Sequence, residues 1–64
     1  MRTIECTFRS IPNVLVSIEN NLYEPGQVVK VNIFKEDPMW VLFNINNDFE
    51  PMYLKKSVIK TWFK

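Results

Sequence analysis

Three apolar runs separated by turn chemistry lie between Glu24 and Ile59, and their spacing constrains the fold more than any other feature. The runs are Gln27-Val28-Val29-Lys30-Val31-Asn32-Ile33-Phe34, Met39-Trp40-Val41-Leu42-Phe43-Asn44-Ile45 and Pro51-Met52-Tyr53-Leu54. Pro25-Gly26 opens the series; Lys35-Glu36-Asp37-Pro38 and Asn46-Asn47-Asp48-Phe49 divide it. β-Branched and aromatic runs bounded by Pro, Gly and Asn predict a three-stranded antiparallel meander.

Register tests that expectation, because a slip of one residue moves every side chain to the opposite face. With Ile33 opposite Val41, Val31 meets Phe43 and Val29 meets Ile45, so one face is wholly apolar. With Phe43 opposite Met52, Val41 meets Leu54 and the same face stays apolar across the second hairpin. The other face carries Val28, Lys30, Asn32, Phe34, Trp40, Leu42 and Asn44, with Tyr53 beside Leu42 and Pro51 beside Asn44.

The flanks are shorter. Ile4, Cys6 and Phe8 alternate with Thr3, Glu5 and Thr7, the pattern of a half-buried strand. Ser10-Ile11-Pro12-Asn13 breaks it, Val14-Leu15-Val16-Ser17-Ile18 forms a short second strand, and Glu19 to Gly26 is a loop holding Leu22 and Tyr23. After a single turn, residues 56–64 form a last strand, with either Ile59, Thr61 and Phe63 or Val58, Lys60 and Trp62 facing inward. No repeat, linker or sustained helical period interrupts this, so residues 1–64 read as one all-β domain, a small antiparallel barrel of about five strands.

Composition narrows the means of holding such a domain together. A chain of 64 residues buries only about 60% of its unfolded surface. Cys6 is the only cysteine and histidine is absent, which excludes an intrachain disulfide and leaves no His/Cys metal site. The hydrophobic share of 47% is too high for disorder, and a packed core or self-association as a homo-oligomer is left as the staple. No apolar run approaches the ~18 residues of a membrane span, the charges of Arg2 and Glu5 do not suit a signal peptide, and a lone thiol fits a cytoplasmic protein.

From Leu22 to Ile59 the chain resembles the SH3-like small β-barrel superfamily. Glu24-Pro25-Gly26-Gln27-Val28-Val29-Lys30-Val31 is similar to that family's Gly-led strand, Asp37 to Phe43 to its aromatic-led strand, and Met52-Tyr53-Leu54-Lys55-Lys56-Ser57-Val58-Ile59 to its last strands. The resemblance implies a short 3₁₀ turn near 55–57. Lys55 stands where the family's groove proline would be and Val58 where its groove tyrosine would be, and no Ala-Leu-Tyr-Asp-Tyr-like segment precedes. Only Trp40 matches a peptide-groove position, so the resemblance implies the fold and not a polyproline-binding groove.

The chemistry-bearing residues are few. Cys6 lies in line with Ile4 and Phe8 as a small buried hydrophobe, and no histidine could serve it as a base. Glu36, Asp37, Asp48 and Glu50 lie on turns, where acids are solvated, and Gly26 is used by a turn, so catalytic residues, metal ligands and cofactor-binding residues are all absent from the expectation. Large rings on the meander's outer face point elsewhere. Phe34, Trp40 and Tyr53, with Trp62 from the last strand, are the candidate protein-binding residues, unless Val14 to Val16 or the last strand folds over them. Of Trp62 and Phe63, one ring is expected in the core and the other outside.

Net charge is +1, from eight basic and seven acidic side chains, far from the excess of a dedicated nucleic-acid binder. Yet Lys55, Lys56, Lys60 and Lys64 follow the last acid and interleave with Trp62 and Phe63, a single-strand-binding format; edge-strand lysines that block aggregation read the same way. The sequence therefore suits a non-enzymatic interaction module, an accessory or phage-type modulator of a larger protein. Its alternative is a weak nucleic-acid binder using the four lysines. An enzyme built as an oligomer of small barrels has no residue in its favour.

Overall fold

A computed structural model of the chain describes residues 1–63. Six strands form two sheets: β1 (Arg2–Thr7), β2 (Val16–Ile18), β3 (Asn21–Tyr23), β4 (Val28–Glu36), β5 (Trp40–Ile45) and β6 (Met52–Lys55), followed by a single helical turn, α1 (Lys56–Ile59). The larger sheet is antiparallel in the order β1-β4-β5-β6, and β2 pairs only with β3.

Among the described residues neither sheet closes on itself, so the expected all-β antiparallel chain takes the form of an open four-stranded sheet beside a two-stranded hairpin. The region expected to be a 3₁₀ turn is the α-helical turn α1. No final strand exists at residues 56–63; the segment returns to β1 through one isolated bridge, Phe8 to Phe63, with the amides of Arg9 and Ser10 both donating to the Trp62 carbonyl at 2.6 and 3.1 Å.

The meander is present, and its two hairpins differ in how they meet expectation. In β5–β6, Val41 opposes Leu54, Leu42 opposes Tyr53 and Phe43 opposes Met52, as the hydrophobic pattern required. In β4–β5 the register is displaced by two residues, with Ile45 opposite Val31 and Phe43 opposite Ile33. A shift of two preserves the faces, which is why Val29, Val31, Val41, Phe43 and Ile45 are still all buried. A bulge between Ile33 and Lys35 then puts Lys35 opposite Leu42 and Glu36 opposite Val41. The extra residue inverts the alternation beyond Ile33, so Glu36 emerges at the rim of the inner face while Phe34 stays on the outer one.

The segment from Glu19 to Gly26, expected to be a loop, contains half of a hairpin. Glu19 and Asn20 both have positive φ, 49° and 66°, the backbone of the two-residue turn whose twist matches its flanking strands. It delivers Ile18 and Tyr23 to the core, whereas Val14 and Leu15 precede β2 and stay exposed. Tyr23, Phe8, Phe43, Ile45 and Val29 are the largest fully buried side chains. Phe8 is the hub: its ring centroid lies 5.7 Å from Tyr23, 5.5 Å from Phe63 and 6.4 Å from Trp62. Trp62 also lies 6.1 Å from Phe43. Both C-terminal rings therefore pack on the inner side, rather than one inside and one out.

Candidate functional site

The outer face of the meander is built by strand alternation. Trp40 and Leu42 point away from the core that Val41 and Phe43 enter, and Tyr53 faces Leu42 across the β5–β6 ladder. Phe34 joins them from the bulge next to Lys35, which opposes Leu42. Trp40, Tyr53 and Phe34 keep 40%, 48% and 38% of their surface in contact with solvent. Neither Val14 to Val16 nor the C-terminal segment covers them, since Val14 and Leu15 are themselves exposed and Trp62 and Phe63 lie against the inner core. Diagonal neighbours across an antiparallel pair sit roughly 7–8 Å apart, within reach of large rings, so Trp40, Leu42 and Tyr53 make one continuous surface. Trp62, the fourth candidate anchor, does not belong to it.

The same face becomes polar and closed at its far end, which the apolar pattern did not anticipate. Asn32 and Asn44 are each only 5% exposed. The Asn32 amide nitrogen donates to Asn44 Oδ1 at 2.8 Å and to Asn47 Oδ1 at 3.0 Å, and Thr3 Oγ1 donates to Asn32 Oδ1 at 2.7 Å. Asn44 Nδ2 in turn donates to the Phe49 carbonyl at 3.1 Å. Asn46 and Asn47 hold φ of 55° and 58°, a left-handed pair that asparagine tolerates because its short amide can bond locally. This turn sets the Asn47 amide and the Phe49 carbonyl against Asn32 and Asn44, where the aromatic surface ends, while the Phe49 ring turns to the inner side, 6.0 Å from Phe43. One asparagine on each of β4 and β5, Asn32 and Asn44, followed by Asn46-Asn47, was the available signal.

The lysines assemble at the other end. Trp40 opposes Lys55 across the ladder, and Lys55 Nζ lies 5.8 Å from the centroid of the Trp40 ring, a cation–π distance. Lys55, Lys56, Ser57 and Lys60 line one shallow depression with Pro38 and Met39. The expected basic set is thus brought together next to the aromatic face; Lys64 lies outside the described residues. Lys56 is the least free of the three, because its Nζ lies 2.7 Å from Glu36 Oε2.

Each turn acid in the structure has a partner or an open position. Glu36 accepts from Arg2 at 2.8 Å as well as from Lys56, and the two cations hold its carboxyl below the usual range, Lys56 contributing most. The Asp37 carboxylate accepts the Trp40 amide at 3.1 Å and shapes the β4–β5 turn. Asp48 Oδ2 accepts the Tyr23 hydroxyl at 3.0 Å. Glu50 is exposed. Burial pushes the Cys6 thiol up, which keeps it protonated and poorly nucleophilic. Among the described residues no three His, Cys, Asp or Glu side chains come together as a metal site, and no helix is long and apolar enough to cross a membrane.

No family model, no curated protein and no solved structure matches this chain.

Proposed function

We propose that this protein is a non-enzymatic interaction module that binds a larger protein through its outer aromatic face. The observation that carries the reading is the exposure of Trp40 and Tyr53 on adjacent strands, together with Phe34 and Leu42, on the side of the sheet away from the core. Trp and Tyr dominate interface energetics because each presents a large apolar area with few torsions to freeze and one polar handle. Rings on a paired β5–β6 ladder start pre-organised, which lowers the entropy cost of docking. We read the fold as a small SH3-like barrel left open between β1 and α1; the Phe8–Phe63 bridge supports that reading, since it ties the residue after β1 to the segment that follows β6 and α1.

Parallel affinity capture with wild-type protein, Trp40→Ala and Tyr53→Ala tests it. Both residues are about half exposed, so the variants keep the core, and melting temperatures check this. Loss of the same captured partner from both variants supports the reading, and recovery of the same partners by all three baits overturns it. Sedimentation velocity on the free protein distinguishes a foreign partner from a homo-oligomer.

A second reading has its own observation: Lys55, Lys56 and Lys60 share one depression, with Lys55 against the Trp40 ring. That combination suits a weak nucleic-acid binder. Gel-shift binding of single-stranded oligonucleotides that falls steeply with salt, and is lost in Lys55→Glu and Lys60→Glu, would move the assignment to it.

A further inference from the structure

The inner face of the large sheet is not fully covered. α1 and residues 60–63 cross it from β6 toward β1, but they reach β1 only at its Phe8 end. Toward Arg2 a cleft remains between β1 and α1, with a volume of about 160 Å³. Its walls are the side chains of Ile4, Cys6, Ile33, Phe43, Ile59 and Phe63, almost without polar surface, and Glu36, Lys56 and Lys60 stand at its lining. Dry apolar cavities of about 150 Å³ accept a benzene-sized guest, so the space fits one large apolar side chain.

A backbone edge borders the cleft. β1 is the outermost strand of the β1-β4-β5-β6 sheet. The Phe8 amide donates to the Gln27 carbonyl at 2.7 Å and Gly26 returns a bond to the Phe8 carbonyl at 2.6 Å, and Cys6, Ile4 and Arg2 follow in register with Val29, Val31 and Ile33. Antiparallel ladders alternate, so the peptide groups of Thr3 and Glu5 face away from β4, toward the open edge. Farther along that same edge the chain already pairs with itself, through the bonds from Arg9 and Ser10 to Trp62. An added strand lying on Thr3 and Glu5 would extend that pairing and point every second side chain into the cleft.

Charge selects the occupant. Arg2, Lys56 and Lys60 surround the opening, whereas Glu36 is the one acid there among the described residues and is already shared by Arg2 and Lys56. A second copy docking β1 against β1 would bring another Arg2, which lies on the same face as Ile4, to this cationic rim. We propose that the β1 edge and its cleft bind an extended strand of a partner protein that places one large apolar side chain in the cleft and a carboxylate two residues away against the rim lysines. This site lies on the opposite side of the sheet from the aromatic face and does not rest on it.

The test is an amide NMR titration with the acetylated, amidated peptide Thr-Val-Thr-Leu-Thr-Glu-Thr, whose Val, Leu and Glu share one face, against its Glu→Lys counterpart. Saturable shifts are expected at Thr3, Glu5 and residues 59–63, with the acidic peptide binding about fivefold more tightly at low salt. Lys60→Glu should reverse that order, Ile4→Lys should abolish binding, and Trp40→Ala should leave it unchanged. The dispersion of the free spectra shows whether each variant is folded, and Lys60, exposed on the surface, is the substitution that leaves the core untouched. Several results would overturn the proposal: no shifts up to about 5 mM peptide, equal affinity for the two peptides, or shifts centred on Trp40 and Tyr53. Concentration-dependent shifts of Thr3 and Glu5 without peptide, with a doubled mass, would also overturn it and assign the edge to a second copy.

Discussion

Tyr23 should make this protein lose stability in alkali. The ring is 1% exposed, packed against Phe8, with its hydroxyl donating to Asp48 at 3.0 Å. Burial, and then the Asp48 carboxylate, push the phenol far above its ordinary value. A raised folded-state value means that the folded chain holds a proton that the unfolded chain releases. The contribution is therefore complete below the unfolded value of about 10 and is lost as pH rises above it. With the folded group still protonated, the loss is about 1.4 kcal/mol at pH 11 and about 2.7 kcal/mol at pH 12. A domain of this size has roughly 3–5 kcal/mol in total, so pH 11 should remove about a third of it.

Tyr23→Phe isolates the effect. At pH 8 the variant lacks the hydroxyl bond to a charged but exposed acceptor, which should cost about 1–1.5 kcal/mol. Above pH 10 the variant has no phenol to ionise at this position, so the gap to wild type should shrink and vanish near pH 11. Urea unfolding at pH 8, 10 and 11 measures the gap directly, and the rise of phenolate absorbance should include Tyr23 only as the chain unfolds. Tyr53→Phe, on the exposed outer face, is the control for removing a phenol as such, and Cys6 titrates equally in both chains. A wild-type-to-Phe gap that stays constant from pH 8 to pH 11 would refute the linkage of Tyr23 ionisation to unfolding.

Three further perturbations separate the parts of the fold. Phe8→Ala removes the ring against which Tyr23, Trp62 and Phe63 pack; a loss of about 3–5 kcal/mol equals the whole stability, so circular dichroism should show an unfolded chain at 25 °C. Asn44→Ala deletes the acceptor for Asn32 and the donor to the Phe49 carbonyl and should cost about 2 kcal/mol by urea denaturation, with amide exchange quickening over residues 46–49. Glu36 has a lowered carboxyl value, so the stabilisation it gains from Lys56 and Arg2 is present above the unfolded carboxylate range and lost as pH falls through the folded one. Glu36→Gln should therefore narrow the stability difference between pH 7 and pH 3, and an unchanged acid limb would count against the ion triad.

The inner face was legible because it obeys one rule over many residues. Val29, Val31, Val41, Phe43 and Ile45 alternate with outward side chains, and burial on one face punishes any odd slip. The β4–β5 register was not, because a slip of two residues keeps every apolar side chain inside and costs nothing that a period of two can register. What decides it is local: Asp37 accepts the Trp40 amide, and the Asp37 amide donates to the Trp40 carbonyl at 3.0 Å, moving the turn two residues later than Lys35-Glu36-Asp37-Pro38 suggests. The β2–β3 hairpin was hidden for another reason. Its strands are three residues each, too short to display alternation, and its turn uses Glu19-Asn20 in place of a Gly-containing pair. Residues 60–63 alternate as a strand would, but the amides of Lys60, Thr61 and Trp62 are spent on the carbonyls of Lys56, Val58 and Ile59, so local turn bonds outcompete a ladder.

The bulge at Phe34 links the two sides of the sheet. In a regular ladder continued from Ile33, Lys35 would face inward opposite Val41 and Glu36 would face outward opposite Trp40. With the bulge, Phe34 remains on the aromatic face while Glu36 reaches the inner rim, where it bonds Arg2 of β1 and Lys56 of α1. One inserted position therefore holds the Phe34 ring on the outer face beside Lys35 and brings Glu36, the one acid among the described residues lining the cleft, to its cationic rim. Glu36 also ties the first strand to the helical turn at the end where no backbone bond joins them. Deleting Phe34 should therefore act on one surface only: the aromatic face would lose a ring and keep Lys35 opposite Leu42, while Glu36 stays opposite Val41 and keeps its bonds to Arg2 and Lys56.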